Sequence, residues 1–113
     1  LEKIHIFLKA KRTLFKKYFN VFNKMQGVSL YKESNNANSN YWLQTLILNK
    51  NKVNLKNKIL KESHKKLIYT RPVWRLISEL EPYKKNQKMN LSGAKEIYNK
   101  IINLPSSQSL VLK

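Results

Sequence analysis

The chain has 113 residues, 42% of them hydrophobic, and a formal net charge of +17. It contains neither cysteine nor aspartate, which excludes disulfides, thiolate metal sites, cysteine nucleophiles and a Ser-His-Asp triad. Its two histidines, His5 and His64, lie too far apart to suggest a metal site, and no apolar run approaches the ~20 residues of a membrane span.

In chain order, residues 1–26 read as one long amphipathic helix leading into a domain formed by residues 27–113. Leu1, Ile4, Leu8, Phe15, Tyr18, Phe22 and Met25 recur at helical steps, and Phe7, Leu14, Phe19 and Val21 widen the stripe. Such a rod is roughly 37 Å long, and its ragged aromatic edges suit burial by protein better than a membrane surface. Gly27 stands where a helix C-terminus favours a left-handed residue. Val28–Tyr31 is a short strand candidate, and "KESNNANSN" (32–40) is a polar turn-forming loop. "YWLQTLIL" (41–48) has the near-continuous apolar character of a strand covered on both faces. A polar connection (49–54) leads to a helix over 55–67, carried by Leu55, Ile59, Leu60 and Leu67. "LIYT" (67–70) then reads as a short strand. Pro72 keeps Arg71 extended, and a helix is predicted over Val73–Leu80, stopped by Pro82. A last helix, capped by Asn90 or Ser92, runs to Ile102 with Leu91, Ala94, Ile97, Tyr98, Ile101 and Ile102 apolar. The predicted fold class is α+β: a small, three-stranded antiparallel sheet packed with helices.

Two of the three arginines, Arg71 and Arg75, fall in "IYTRPVWRLISELEPY" (68–83) with Trp74, one of the two tryptophans. An extended lead-in, free N–H groups at a helix start and a guanidinium suit an anion such as phosphate or carboxylate. The competing structural reading pairs Arg71 with Glu79 or Glu81 and puts Trp74 in the core. Glu79 and Glu81, two residues apart, point to different faces and read as solvated charge rather than an acid–base pair. His64 reads as exposed. Tyr41 and Trp42, following a polar loop, read as core, with the alternative that Asn40 and Tyr41 line a cleft at the start of a strand. The basic balance suggests nucleic acid, but the cations are nearly all lysines spread along the chain, without the clustered arginines that phosphate and base recognition favour.

The ordered set "LEKIHIFLKAKRTLFKKYFNVF", "SNYWLQTLIL", "IYTRPVWRLISELEPY" and "KMNLSGAKEIYNKIINLPSS" resembles the C-terminal portion of the DegT/StrS-type sugar aminotransferases, from Leu1 to Ser107. The resemblance implies the small domain of a fold-type-I pyridoxal phosphate enzyme that moves an amino group from glutamate to a nucleotide-linked keto-sugar. It implies a cytoplasmic homodimer in a bacterial polysaccharide pathway, whose larger domain holds the Schiff-base lysine. None of the lysines here matches that lysine, so the fragment alone is expected to bind no cofactor and to be inactive. Residue 1 is leucine, and the chain is expected to be part of a longer protein. By likeness, Arg71, Trp74, Asn40 and Tyr41 are the substrate-binding residues. Relatives usually carry a histidine where this chain has Ser78. The alternative from another class is a stand-alone basic α+β nucleic-acid-binding module.

Overall fold

The computed structural model describes residues 2–112. Helix α1 spans Ile4–Phe22; the expected start at Leu1 lies outside the described residues. Ala10, Leu14, Tyr18 and Phe22 form a row at four-residue spacing, which places them on one side of a helix. Burial begins at Ala10 and continues through Leu14 and Phe15, whereas Ile4, Phe7 and Leu8 remain exposed. The helix stops at Phe22, short of the expected 25 or 26. Residues 23–26 form a turn, and Gly27 follows in the left-handed region, with φ of 86°. Its carbonyl accepts the Asn49 N–H at 2.9 Å, so the turn also closes the first strand pair.

Four antiparallel strands complete the frame: β1 (Val28–Leu30), β2 (Gln44–Leu48), β3 (Arg71–Pro72) and β4 (Ile101–Leu104), in the spatial order β1-β2-β4-β3. The expected three-stranded sheet is thus four-stranded, because β4 comes from the predicted end of the last helix. Helix α3 (Ser92–Lys100) ends just before Ile101, whose ψ of 137° starts the strand. Ile101 and Ile102 suit helix periodicity, but their branched Cβ atoms suit a pleated surface better once β2 supplies hydrogen-bond partners. Leu46 pairs with Ile102 and with Leu30 in register, so the fully buried Ile102 lies at the centre of the sheet.

Side-chain alternation sorts the strands into two faces. Val28, Leu30, Gln44, Leu46, Leu48, Ile102 and Leu104 share one. Phe15, Leu30 and Tyr41 pack there with Phe19, and Leu46, Leu48 and Ile102 pack with Ile59 and Leu60. Phe22 and Leu104 join the two groups. Strand β2 therefore buries one face, while Thr45 and Ile47 on the other are only half-buried, not covered on both faces as its apolar run suggested.

The predicted polar connection is a 3-10 turn (Lys50–Leu55) running straight into α2 (Lys56–Lys65). Helix α2 ends in a Schellman arrangement, in which the Leu67 N–H donates to His64 O and the Ile68 N–H to Ser63 O, both at 2.9 Å. Leu67 takes the left-handed conformation, φ 59°, so 67–70 caps a helix and is not the expected strand. The strand pairing comes just after it, at Arg71 and Pro72. Proline is tolerated there because β3 is an edge strand. Val73–Leu80 is not a helix. The chain stays extended after Pro72 and makes two 3-10 turns, Ile77–Glu79 and Glu81–Tyr83. With Trp74 and Ile77 64% and 68% exposed, a helix there would have had no apolar face to bury, and packing supplies most helical stability.

Candidate functional site

The alternation that puts Ile102 in the core puts Arg71 and Asn103 on the opposite face, where register sets them side by side. Thr45 is paired with Asn103 from the other flank, and its hydroxyl meets the Asn103 amide oxygen at 3.2 Å. A polar row, Thr45–Asn103–Arg71, thus crosses three strands. Beside it opens a cavity of about 480 Å³ lined by Arg71, Asn103, Trp42, Trp74, Tyr69 and Ser106, among others. The two indoles stand 6.1 Å apart at 36°. Both are largely exposed, Trp42 by 65%, so aromatic surface faces the opening without being packed away.

Among the described residues, Arg71 is the single charged residue of the lining. The ion pairs among the described residues join Arg12–Glu33, Lys50–Glu96, Lys65–Glu62, Lys84–Glu81 and Lys100–Glu96. None uses Arg71. The structural alternative, in which Glu79 or Glu81 neutralises it, is not what the fold builds: Glu81 pairs with Lys84, and Glu79 forms none of these ion pairs. Arg71 therefore presents a guanidinium fork that no carboxylate among the described residues pairs with, suited to bidentate recognition of phosphate or carboxylate.

Of the four residues singled out in the sequence, Arg71 and Trp74 are brought together in this cavity and Asn40 and Tyr41 are not among its lining. Tyr41 is buried, 6% exposed, with its ring stacked 4.2 Å from Phe15. Its φ of 47° reverses the chain, sending consecutive side chains Tyr41 inward and Trp42 outward. Asn40 makes the local turn: its Oδ1 accepts the Trp42 N–H at 2.9 Å. Arg75 does not line the cavity, and Ser78 lines a separate depression with Ile77, Tyr83 and Met89. His64 is exposed, as expected; its Nε2 lies in hydrogen-bond contact with the Thr70 carbonyl, and its ring meets Tyr69 edge-on at 5.9 Å.

Sequence reasoning missed Trp42's partners. Its carbonyl accepts from Ser106 Oγ at 2.8 Å and from Lys11 Nζ at 3.3 Å. Tyr69 and Asn103 were also missed; the only signal for Asn103 would have been a polar residue inside an apolar strand. Among the described residues no group of acidic, histidine or cysteine side chains could hold a metal, and no helix is long and apolar enough to cross a membrane.

Three solved structures share this architecture. An aminotransferase, TlmJ, from Streptoalloteichus hindustanus superposes with a TM-score of 0.86 at 15% identity, over 99% of this chain and 29% of its own. Helicobacter pylori PseC, an aminotransferase involved in the biosynthesis of pseudoaminic acid, gives 0.82 at 19% identity, over 93% of this chain and 29% of its own. DesI, solved in the presence of its TDP-sugar product, gives 0.80 at 14% identity, over 90% and 26% respectively. The chain thus spans under a third of the length of the structures it matches. A search of curated protein sequences returns no match. The sequence profile of one family, however, matches residues 1–113 throughout. The chain belongs to the DegT/DnrJ/EryC1/StrS aminotransferase family.

Proposed function

We propose that this chain is the small C-terminal domain of a pyridoxal-phosphate-dependent aminotransferase that transfers an amino group from glutamate to a nucleotide-linked keto-sugar. The observation that carries the reading is the Arg71 guanidinium, in no ion pair among the described residues, beside two exposed indoles in one cavity. A nucleotide sugar offers both matching halves: a diphosphate for the fork and a ring for the indoles. Family membership and the sugar aminotransferases among the structural neighbours support the substrate class. A nucleic-acid tract would call for a run of cations, and this cavity has one.

The residues of the cavity do not fit the cofactor. Among the described residues no lysine and no carboxylate line it, so these offer neither an amine to condense with the pyridoxal aldehyde nor an acid to pair with the pyridine nitrogen. The two amines whose pKa burial lowers, Lys11 and Lys56, are engaged with the carbonyls of Trp42 and Tyr98. We therefore assign the cofactor to the rest of a longer enzyme, working as a cytoplasmic homodimer, and the substrate-orienting role to this domain. In that division Arg71 holds the diphosphate, Trp74 packs on the sugar or base, and Asn40 and Tyr41 act indirectly by setting the path of Trp42.

The test is Arg71→Ala in the intact enzyme. A charged hydrogen bond contributes about 1.5–3 kcal/mol, so the KM for the nucleotide sugar should rise about 10- to 100-fold while the glutamate half-reaction is nearly unchanged. Sugar kinetics equal to wild type would remove Arg71 from the substrate site.

A further inference from the structure

The third arginine, Arg12, lies on α1, outside the motifs that point to the cavity, and makes the densest set of polar contacts in the structure. Its two terminal nitrogens grip both oxygens of Glu33, at 3.0 and 3.3 Å. One of them also reaches Asn38 Oδ1 and the Ser39 carbonyl. Glu33 in turn accepts the Ser39 N–H. The guanidinium lies 5.5 Å from the Tyr41 ring centroid, whose other partner is Phe15 of the same helix. One side chain thus fixes both ends of a loop that is otherwise exposed from Ser34 to Asn38.

That loop leads directly into Trp42, one wall of the cavity. Ser39 Oγ accepts the Tyr41 N–H at 3.0 Å, and Asn40 Oδ1 accepts the Trp42 N–H. Each link sets the next, from Arg12 through Ser39 and the left-handed Tyr41 to the indole beside Trp74. Lys11, the neighbouring residue on α1, reaches the Trp42 carbonyl from the other side. Without the clamp, the strain of a non-glycine residue at φ 47°, on the order of 1–2 kcal/mol, is left to the Tyr41–Phe15 stack, the Ser39 and Asn40 turn bonds and the Lys11 and Ser106 bonds to the Trp42 carbonyl. We propose that Arg12, with Glu33, is a positioning residue that holds the Trp42 indole beside that of Trp74 in the cavity lining, so that α1 sets the shape of that aromatic wall. The consequence for substrate rests on that cavity being the nucleotide-sugar site; the positioning itself does not.

Two indoles 6.1 Å apart couple excitonically and give a far-ultraviolet circular dichroism couplet that Trp74→Phe abolishes. Arg12→Ala should lose the couplet while amide exchange protection at Leu46 and Ile102 stays at the wild-type level. Arg12→Lys, a point charge without the fork, should restore it only in part. A wild-type couplet in folded Arg12→Ala overturns the proposal. Should that variant unfold, Glu33→Gln, which keeps an acceptor for Ser39, decides by the same two outcomes. In the intact enzyme the Arg12→Ala change should raise the nucleotide-sugar KM with kcat nearly unchanged. Loss of the couplet without a change in KM would leave Arg12 as the positioning residue and refute the cavity as the sugar site instead.

Discussion

Ile97 and Ile102 belong to one apolar stripe in a helical reading of "KEIYNKII", yet the fold treats them oppositely. Ile102 has no exposed surface at the centre of β4, whereas Ile97 on α3 is 58% exposed. Replacing Ile102 by alanine removes the equivalent of three methylene groups, about 2.4 kcal/mol of transfer free energy at ~0.8 each. Leu46, Leu48 and Leu104 around it are fixed by the sheet and close the gap only partly. A residual cavity of about 60 Å³ at ~24 cal/mol per Å³ adds about 1.5 kcal/mol. The total, about 4 kcal/mol, is a large share of the roughly 5–15 kcal/mol a domain of this size has. Ile97→Ala should change stability by less than about 0.5 kcal/mol, since alanine is also the better helix former. Urea unfolding followed by circular dichroism measures both: with a slope near ~2 kcal/mol/M, Ile102→Ala should lower the midpoint by about 2 M. Equal losses for the two variants would refute the switch from helix to strand at Ile101.

Leu67→Gly, at the left-handed end of α2, should stabilise the chain by about 0.5–1 kcal/mol, read as a raised urea midpoint; the relief of ~1–2 kcal/mol of strain exceeds the entropic cost of glycine. The Glu33 carboxyl is held below its usual range, first by the Arg12 hydrogen bond and then by the Ser39 N–H. Because its folded pKa is depressed, the clamp's contribution is present above the unfolded value of about 4.3 and is lost as pH falls through the lower folded one. The Ser39 amide resonance should therefore titrate with a midpoint below about 4.3, and a midpoint at or above it would contradict the clamp. Added pyridoxal phosphate followed by borohydride should leave no lysine stoichiometrically labelled, as peptide mass mapping can check; one fully labelled lysine would refute the assignment of the cofactor to the rest of the enzyme.

What the sequence made legible is what local pattern decides. The helical recurrence of Leu14, Phe15, Tyr18, Phe19 and Phe22, the left-handed glycine at 27 and the apolar run ending at Leu48 required no distant partner to be read. Strand β4 did, because Ile101 and Ile102 satisfy helical periodicity until β2 offers a ladder. β3 is two residues long and carries a proline, so only its register with Asn103 and Ile102 marks it as a strand. At the cavity, Arg71 and Trp74 stood out by rarity in a lysine-rich chain. Tyr41 did not reveal its direction, since one residue at positive φ sends it inward and Trp42 outward. Arg12 was hidden for another reason: its partners lie 21 and 26 residues away, beyond any helical or strand period.

The central claim is that this chain orients substrate for an active site whose cofactor is held elsewhere in a longer enzyme. The most direct measurement is the genomic sequence upstream of the Leu1 codon. The account predicts an open frame continuing upstream for roughly two domains' length and encoding a lysine-bearing pyridoxal phosphate site. A start codon immediately before Leu1 would contradict it.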